Sequence, residues 1–148
     1  MKSIPYLLTF LLALAFYSCD REFSDRNLSD DLIFGIHSPF CRDNCTNFYF
    51  YSDGKVYKQA GPEQFPDSVE FETVEVAPSK ANSIIDVLED MPEGLFNEDG
   101  FLGCPGCADE PYLYVKEGQK VVKIDLDANS VPEKISIWAS QLTEAINL

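Results

Sequence analysis

The opening of the chain contains almost no polar positions. One cation, Lys2, precedes a run from Ile4 to Tyr17 that only Thr9 interrupts. This is the charged start and apolar middle of a secretory signal. A membrane-spanning helix needs about twenty apolar residues, and this run is shorter, with Pro5 near its beginning. The pattern therefore predicts a removable leader over residues 1–18 rather than a permanent span. The pattern then inverts. From Asp20 to Asp31 the chain is charged and polar, with few residues able to bury surface, and it reads as a flexible acidic tether over 19–31.

Beyond the tether the periodicities are those of a folded domain, residues 32–148. Leu32-Ile33-Phe34-Gly35-Ile36 is a short apolar strand ended by Ser38-Pro39, and Thr46–Ser52 is an aromatic strand. Asp53-Gly54 is a tight hairpin turn, and Val56–Gln59 is the return strand. After a Pro/Gly loop, Val69–Val76 alternates well only at its start and is read as a fourth strand. Pro78-Ser79 opens a helix whose Ala81, Ile84, Ile85 and Leu88 form one stripe. Pro92 and Gly94 stop it, and Leu95–Asp109 reads as loop. A second hairpin runs from Pro111 to Asp127 around Gly118-Gln119. In it Tyr112, Tyr114 and Lys116 share one face, and Leu113 and Val115 share the other. Ser130-x-x-Glu133, with Pro132 between, matches a capping box ahead of a final helix striped by Ile135, Trp138, Leu142 and Ala145. The order β-β-β-β-α-β-β-α predicts an α+β domain. Its antiparallel sheet has five to six strands, with both helices packed on one face. Strands joined by two to four residues cannot be parallel, so an all-parallel sheet is excluded.

Ser18-Cys19, directly after the apolar run, resembles the lipobox of bacterial lipoproteins, although Phe16-Tyr17 is bulkier than the usual pair. The resemblance implies cleavage before Cys19 and acylation of that residue. With about 0.8 kcal/mol per buried methylene, several acyl chains would hold the protein on a membrane. Loose lipoboxes of this kind are similar to those of Bacteroides-type Gram-negative bacteria. Acidic residues close behind the cysteine resemble surface-export signals in the same bacteria. The expected location is the outer membrane, on its periplasmic or surface side. Asp67-Ser68-Val69 resembles the three-residue O-glycosylation acceptor of exported proteins there, which implies a glycan on Ser68.

Charge removes several function classes. The chain has 25 acids against 11 bases, a formal charge of −14, and no cluster of Lys or Arg. Loss of the leader removes Lys2 and no acid. Binding to nucleic acid, or to anionic lipid by charge, is excluded as a main activity. Net charge of this size keeps an exposed domain soluble.

Four cysteines remain besides Cys19: Cys41 and Cys45, and Cys104 and Cys107 within GCPGCAD. An exported chain sits in an oxidising compartment, which favours disulfides. Local bridges would close loops of four or five residues and stabilise by only about 2 kcal/mol. Bridges between the two pairs would close loops of about sixty residues and give about 4 kcal/mol each. The connectivity stays open. A four-cysteine zinc site also fits the spacing and is the alternative. A redox-active CxxC fits poorly, because Gly103, Pro105 and Gly106 mark a loop and no helix follows.

The other candidate groups give less. His37 is the only histidine, and its spacing from any nucleophile and carboxylate does not form a triad. Asp99, Asp109 and Glu110 flank the CxxC as a solvated rim that could also hold a cation. No motif singles out a catalytic residue, and none implies a cofactor. In the aromatic strand, alternation sends Phe48 and Phe50 to one side, read as core. Tyr49 and Tyr51 go to the other, where with Tyr57, Tyr112 and Tyr114 they form a candidate exposed strip for a peptide, glycan or envelope protein. The combination of Cys41-x3-Cys45, the aromatic strand, Asp53-Gly54-Lys55 and GCPxCAD resembles a group of small bacterial lipoproteins that carries no assigned activity. The expectation is a lipid-anchored extracytoplasmic domain that binds or supports. The alternative is a small metal or thiol protein built on the four cysteines.

Overall fold

A computed structural model describes residues 28–29, 31–39, 46–60, 73–98, 100–104, 110–127 and 129–147. The leader, Cys19, the tether to Asn27 and the loops that hold Cys41, Cys45, Ser68 and Cys107 lie outside the described residues.

Seven strands form one mixed sheet: β1 (Leu32–His37), β2 (Thr46–Ser52), β3 (Lys55–Gln59), β4 (Thr73–Glu75), β5 (Gly100–Leu102), β6 (Tyr112–Glu117) and β7 (Lys120–Asp125). Their spatial order is β4-β3-β2-β1-β6-β7-β5. Among the described residues two helices complete the fold, α1 (Pro78–Glu89) and α2 (Glu133–Asn147), with a short 3-10 turn at Leu95–Asn97. The α+β class and the hairpins match the sequence expectation. Strand number and pairing do not: β5 is an added strand, and it runs parallel to β7. Three residues with no alternation leave no strand signature in the sequence. The connection from β5 back to β7 carries the chain over to β6 first, which is how a parallel pair arises among hairpins.

Asp53 and Gly54 both take positive φ, 50° and 73°, as a two-residue hairpin turn requires. The turn sets Ser52 opposite Lys55, and counting back sets Tyr49 opposite Lys58. That register decides which face is buried. Leu32 and Phe34 of β1 align with Tyr51 and Tyr49 of β2, and Phe34 also aligns with Val115 of β6. These side chains, with Val56, Leu113, Val122 and Ile124, face the two helices and form one core. The helices contribute Ala81, Ile84, Leu88, Trp138, Ala139, Leu142, Ala145 and Ile146, so both lie on the same face. The indole of Trp138 donates to the Val87 carbonyl at 2.8 Å, satisfying one of the open carbonyls of the last turn of α1.

The start of α2 differs from the capping-box expectation. Ile135 and Ser136 donate their N–H groups to the Pro132 carbonyl, so Pro132 stands at the cap. The Ser130 hydroxyl instead shares its one proton between the Asp125 carboxylate and the Asp127 carbonyl, both at 3.0 Å. A carboxylate within reach is a stronger acceptor for that hydroxyl than the geometry of a cap can use.

On the opposite face, Gly35 pairs with Phe48 on one side and Tyr114 on the other. Strands two apart are separated by about 9.6 Å. The two rings nevertheless meet edge to face with centroids 5.5 Å apart, closing over the missing side chain. A Cβ on Gly35 would run into the Asn47 carbonyl and lie 2.7 Å from the Phe48 ring. Glycine is required here by close approach.

Candidate functional site

The five tyrosines of the expected strip do not share a surface. Tyr49 and Tyr51 point to the helices and are buried. Tyr57, Tyr112 and Tyr114 lie on the other face, where Tyr114 is buried against Phe48. Phe48 and Phe50 likewise lie on that face and not in the helix-covered core. What remains there is two separate pairs of half-buried rings, Phe50 with Tyr57 and Tyr112 with Phe101. The His37 and Phe101 rings pack against Tyr112 at 5.2 and 5.7 Å, and the Lys123 ammonium sits 5.6 Å from its centroid. Burial pushes the Tyr112 phenol up.

The Tyr49 hydroxyl finds its partner inside the fold rather than in water. It donates instead to the Ile146 carbonyl, 3.0 Å away in the last turn of α2. The same carbonyl accepts from the Lys80 ammonium of α1 at 2.9 Å. The last turn of α2 carries no basic residue of its own, so Lys80 supplies the cation that favours a helix C-terminus.

Around this junction is a cleft of about 270 Å³, lined by Tyr49, Lys58, Gln59, Ala60, Val74, Glu75, Val76 and Lys80. It exists because the helices cover the middle of the sheet and leave the β3–β4 end open. Tyr49, Lys58 and Val74 form a row across β2, β3 and β4 on the helix-facing side. Lys58 and Lys80 place their ammonium groups 5.9 and 5.7 Å from the Tyr49 ring centroid. Val74 is 60% exposed, which is high for a valine inside a sheet. Glu75 aligns with Tyr57 and faces the other side, where its carboxylate pairs with Lys55 at 3.2 Å. Hydrogen bonding and charge attraction from Glu75 push the Lys55 ammonium up. The cleft therefore presents two cations at an apolar, aromatic floor.

The far end of the sheet holds a different charge. Asp125, 5% exposed, ends β7. Its carboxylate accepts from the Asp127 N–H at 2.9 Å, the Cys104 N–H at 3.2 Å and the Ser130 hydroxyl at 3.0 Å. Burial alone would raise this carboxyl. The hydrogen bonds from Asp127, Cys104 and Ser130 outweigh it and hold the group below the usual carboxylate value. Gly103 lies against it at φ 120°, and a Cβ there would overlap the Asp125 Cβ. The start of the cysteine loop is thus docked on a buried carboxylate that no sequence motif marked. The cysteines other than Cys104 lie outside the described residues, as do Ser68, Asp99 and Asp109, while Glu110 is exposed. Among the described residues, no group of three His, Cys, Asp or Glu gathers around a common point, and no helix is long and apolar enough to cross a membrane. No family model and no curated protein matches the chain.

Proposed function

We propose that this chain is an exported lipoprotein, anchored in the outer membrane through Cys19, whose folded domain acts by binding at the β3–β4 cleft. The anchor rests on the leader pattern and on Ser18-Cys19. The single observation that carries the binding role is the cleft itself: a concave apolar site at an uncovered sheet end, with Lys58 and Lys80 converging on the Tyr49 ring. Small-molecule sites have this make-up of apolar walls and a few placed polar groups. The expected aromatic strip gives way to this narrower site, because its members divide between two faces. Crosslinked cysteines belong to the same reading. They would brace the loop that Asp125 holds.

Two experiments test the proposal. Fractionation of cells carrying the native chain and Cys19→Ala should find the first in membranes and the second released. Equal release of both removes the anchor. A fragment screen by amide chemical shifts should gather its responses at Lys58, Val74, Val76 and Lys80. Responses confined to residues 100–104 and 110–127, with zinc retained by free thiols, would favour the four-cysteine metal reading.

A further inference from the structure

The side chains of the cleft say more about its ligand, on the premise that the cleft is the binding site. We propose that it takes a small monocarboxylate with an apolar body. The body lies on Tyr49 between Ala60, Val74 and Val76, and the carboxylate lies between Lys58 and Lys80.

Charge is the main reason. In a chain with a formal charge of −14, two of the few cations are brought to one ring, at 5.9 and 5.7 Å. Both ammonium groups lie within 6 Å of that ring, so the cleft floor carries positive potential and attracts an anion. Among the described lining residues the acid is Glu75, whose carboxylate is turned to the opposite face by the strand register and is bound to Lys55. Lys80 is fixed in place by its bond to the Ile146 carbonyl. An ammonium has three donors, so that bond leaves others for a ligand. A cationic ligand is disfavoured, since two ammonium groups already occupy the attractive surroundings of the ring.

Size and polarity set the rest. The volume of about 270 Å³ is at the small end for ligand sites. Among the described residues, the lining apart from the lysines, Gln59 and Glu75 is Tyr49, Ala60, Val74 and Val76, which suits a ring or a short branched chain. An ammonium–carboxylate contact is a charge-assisted hydrogen bond, about twice as strong as a neutral one.

The test is an amide chemical-shift titration of the full chain carrying Cys19→Ser, so that no lipid forms. The probes are 3-phenylpropionate, 3-phenylpropylamine and 3-phenylpropanol, which share a body and differ in charge. The acid should move Lys58, Val74, Val76 and Lys80, the amine should leave them in place, and the alcohol should bind at least about tenfold more weakly. Lys58→Gln should weaken the acid by at least about tenfold with the fold intact. Lys58 is the cleaner position, because Lys80 also holds the end of α2. Amine or alcohol binding in the cleft as tightly as the acid would overturn the carboxylate while leaving the cleft as a binding site. An undiminished response to the acid in Lys58→Gln would also overturn it. So would a failure of all three probes to move these residues while other fragments do.

Discussion

The two ends of the sheet treat charge in opposite ways. At the β7–β5 end, Asp125 is buried and three donors satisfy it, from the chain just beyond β7, from the cysteine loop and from the approach to α2. At the β3–β4 end, Lys58 and Lys80 converge on one ring beside an open cleft. Both arrangements cost free energy to assemble. At the first end the cost is offset inside the fold, because the carboxylate ties together segments that share no secondary structure. At the second, the Ile146 carbonyl engages Lys80, and the charge of both ammonium groups stays directed at the cleft. A fully satisfied charge is a structural device, and two cations gathered at an open cleft point to a ligand.

Substitutions separate the two ends by size of effect. The largest belongs to Gly103→Ala. It combines a left-handed backbone with overlap against Asp125, each worth about 1–3 kcal/mol, so denaturant unfolding should show a loss of about 3 kcal/mol. Asp125→Asn should follow, at about 1–3 kcal/mol, since one of its amide positions donates where the carboxylate accepted. The native residue also sets a pH dependence. Its folded value lies below the ordinary one, so its contribution is complete above the unfolded value. That contribution should be lost as pH falls through the folded value, and Asp125→Asn should flatten this acid limb. An unchanged limb would mean that other carboxylates govern acid unfolding. Tyr49→Phe should cost about 1 kcal/mol, because Lys80 still serves the Ile146 carbonyl. A loss well above that would mean that the hydroxyl holds more than the end of α2.

Much of the fold can be read in the sequence wherever a feature is local. Both helices, both hairpins and the split of Tyr112 and Tyr114 from Leu113 and Val115 follow from short-range periodicity. The side of β2 that is core does not. Alternation divides Phe48 and Phe50 from Tyr49 and Tyr51 but cannot rank the two sets, and a phenol looks like the more exposed ring until its partner is known. That partner, the Ile146 carbonyl, lies 97 residues away. Ser130 misleads for a similar reason, since a carboxylate from another element takes the hydroxyl that the capping motif reserves. The short β5 shows itself only through its pairing with β7. Half of the cleft was within reach: the two-residue turn at Asp53-Gly54 places Lys58 opposite Tyr49 by counting. The arrival of Lys80 from α1 depends on tertiary packing.

The most direct test of the account is the rise in melting temperature that 3-phenylpropionate produces in three versions of the chain. A ligand at ten times its Kd stabilises by about 1.4 kcal/mol. The native chain and Asp125→Asn should both show that rise, from different starting temperatures, while Lys58→Gln should show at most about a third of it. A rise that survives in Lys58→Gln, or disappears in Asp125→Asn, would contradict the division between a structural end and a binding end.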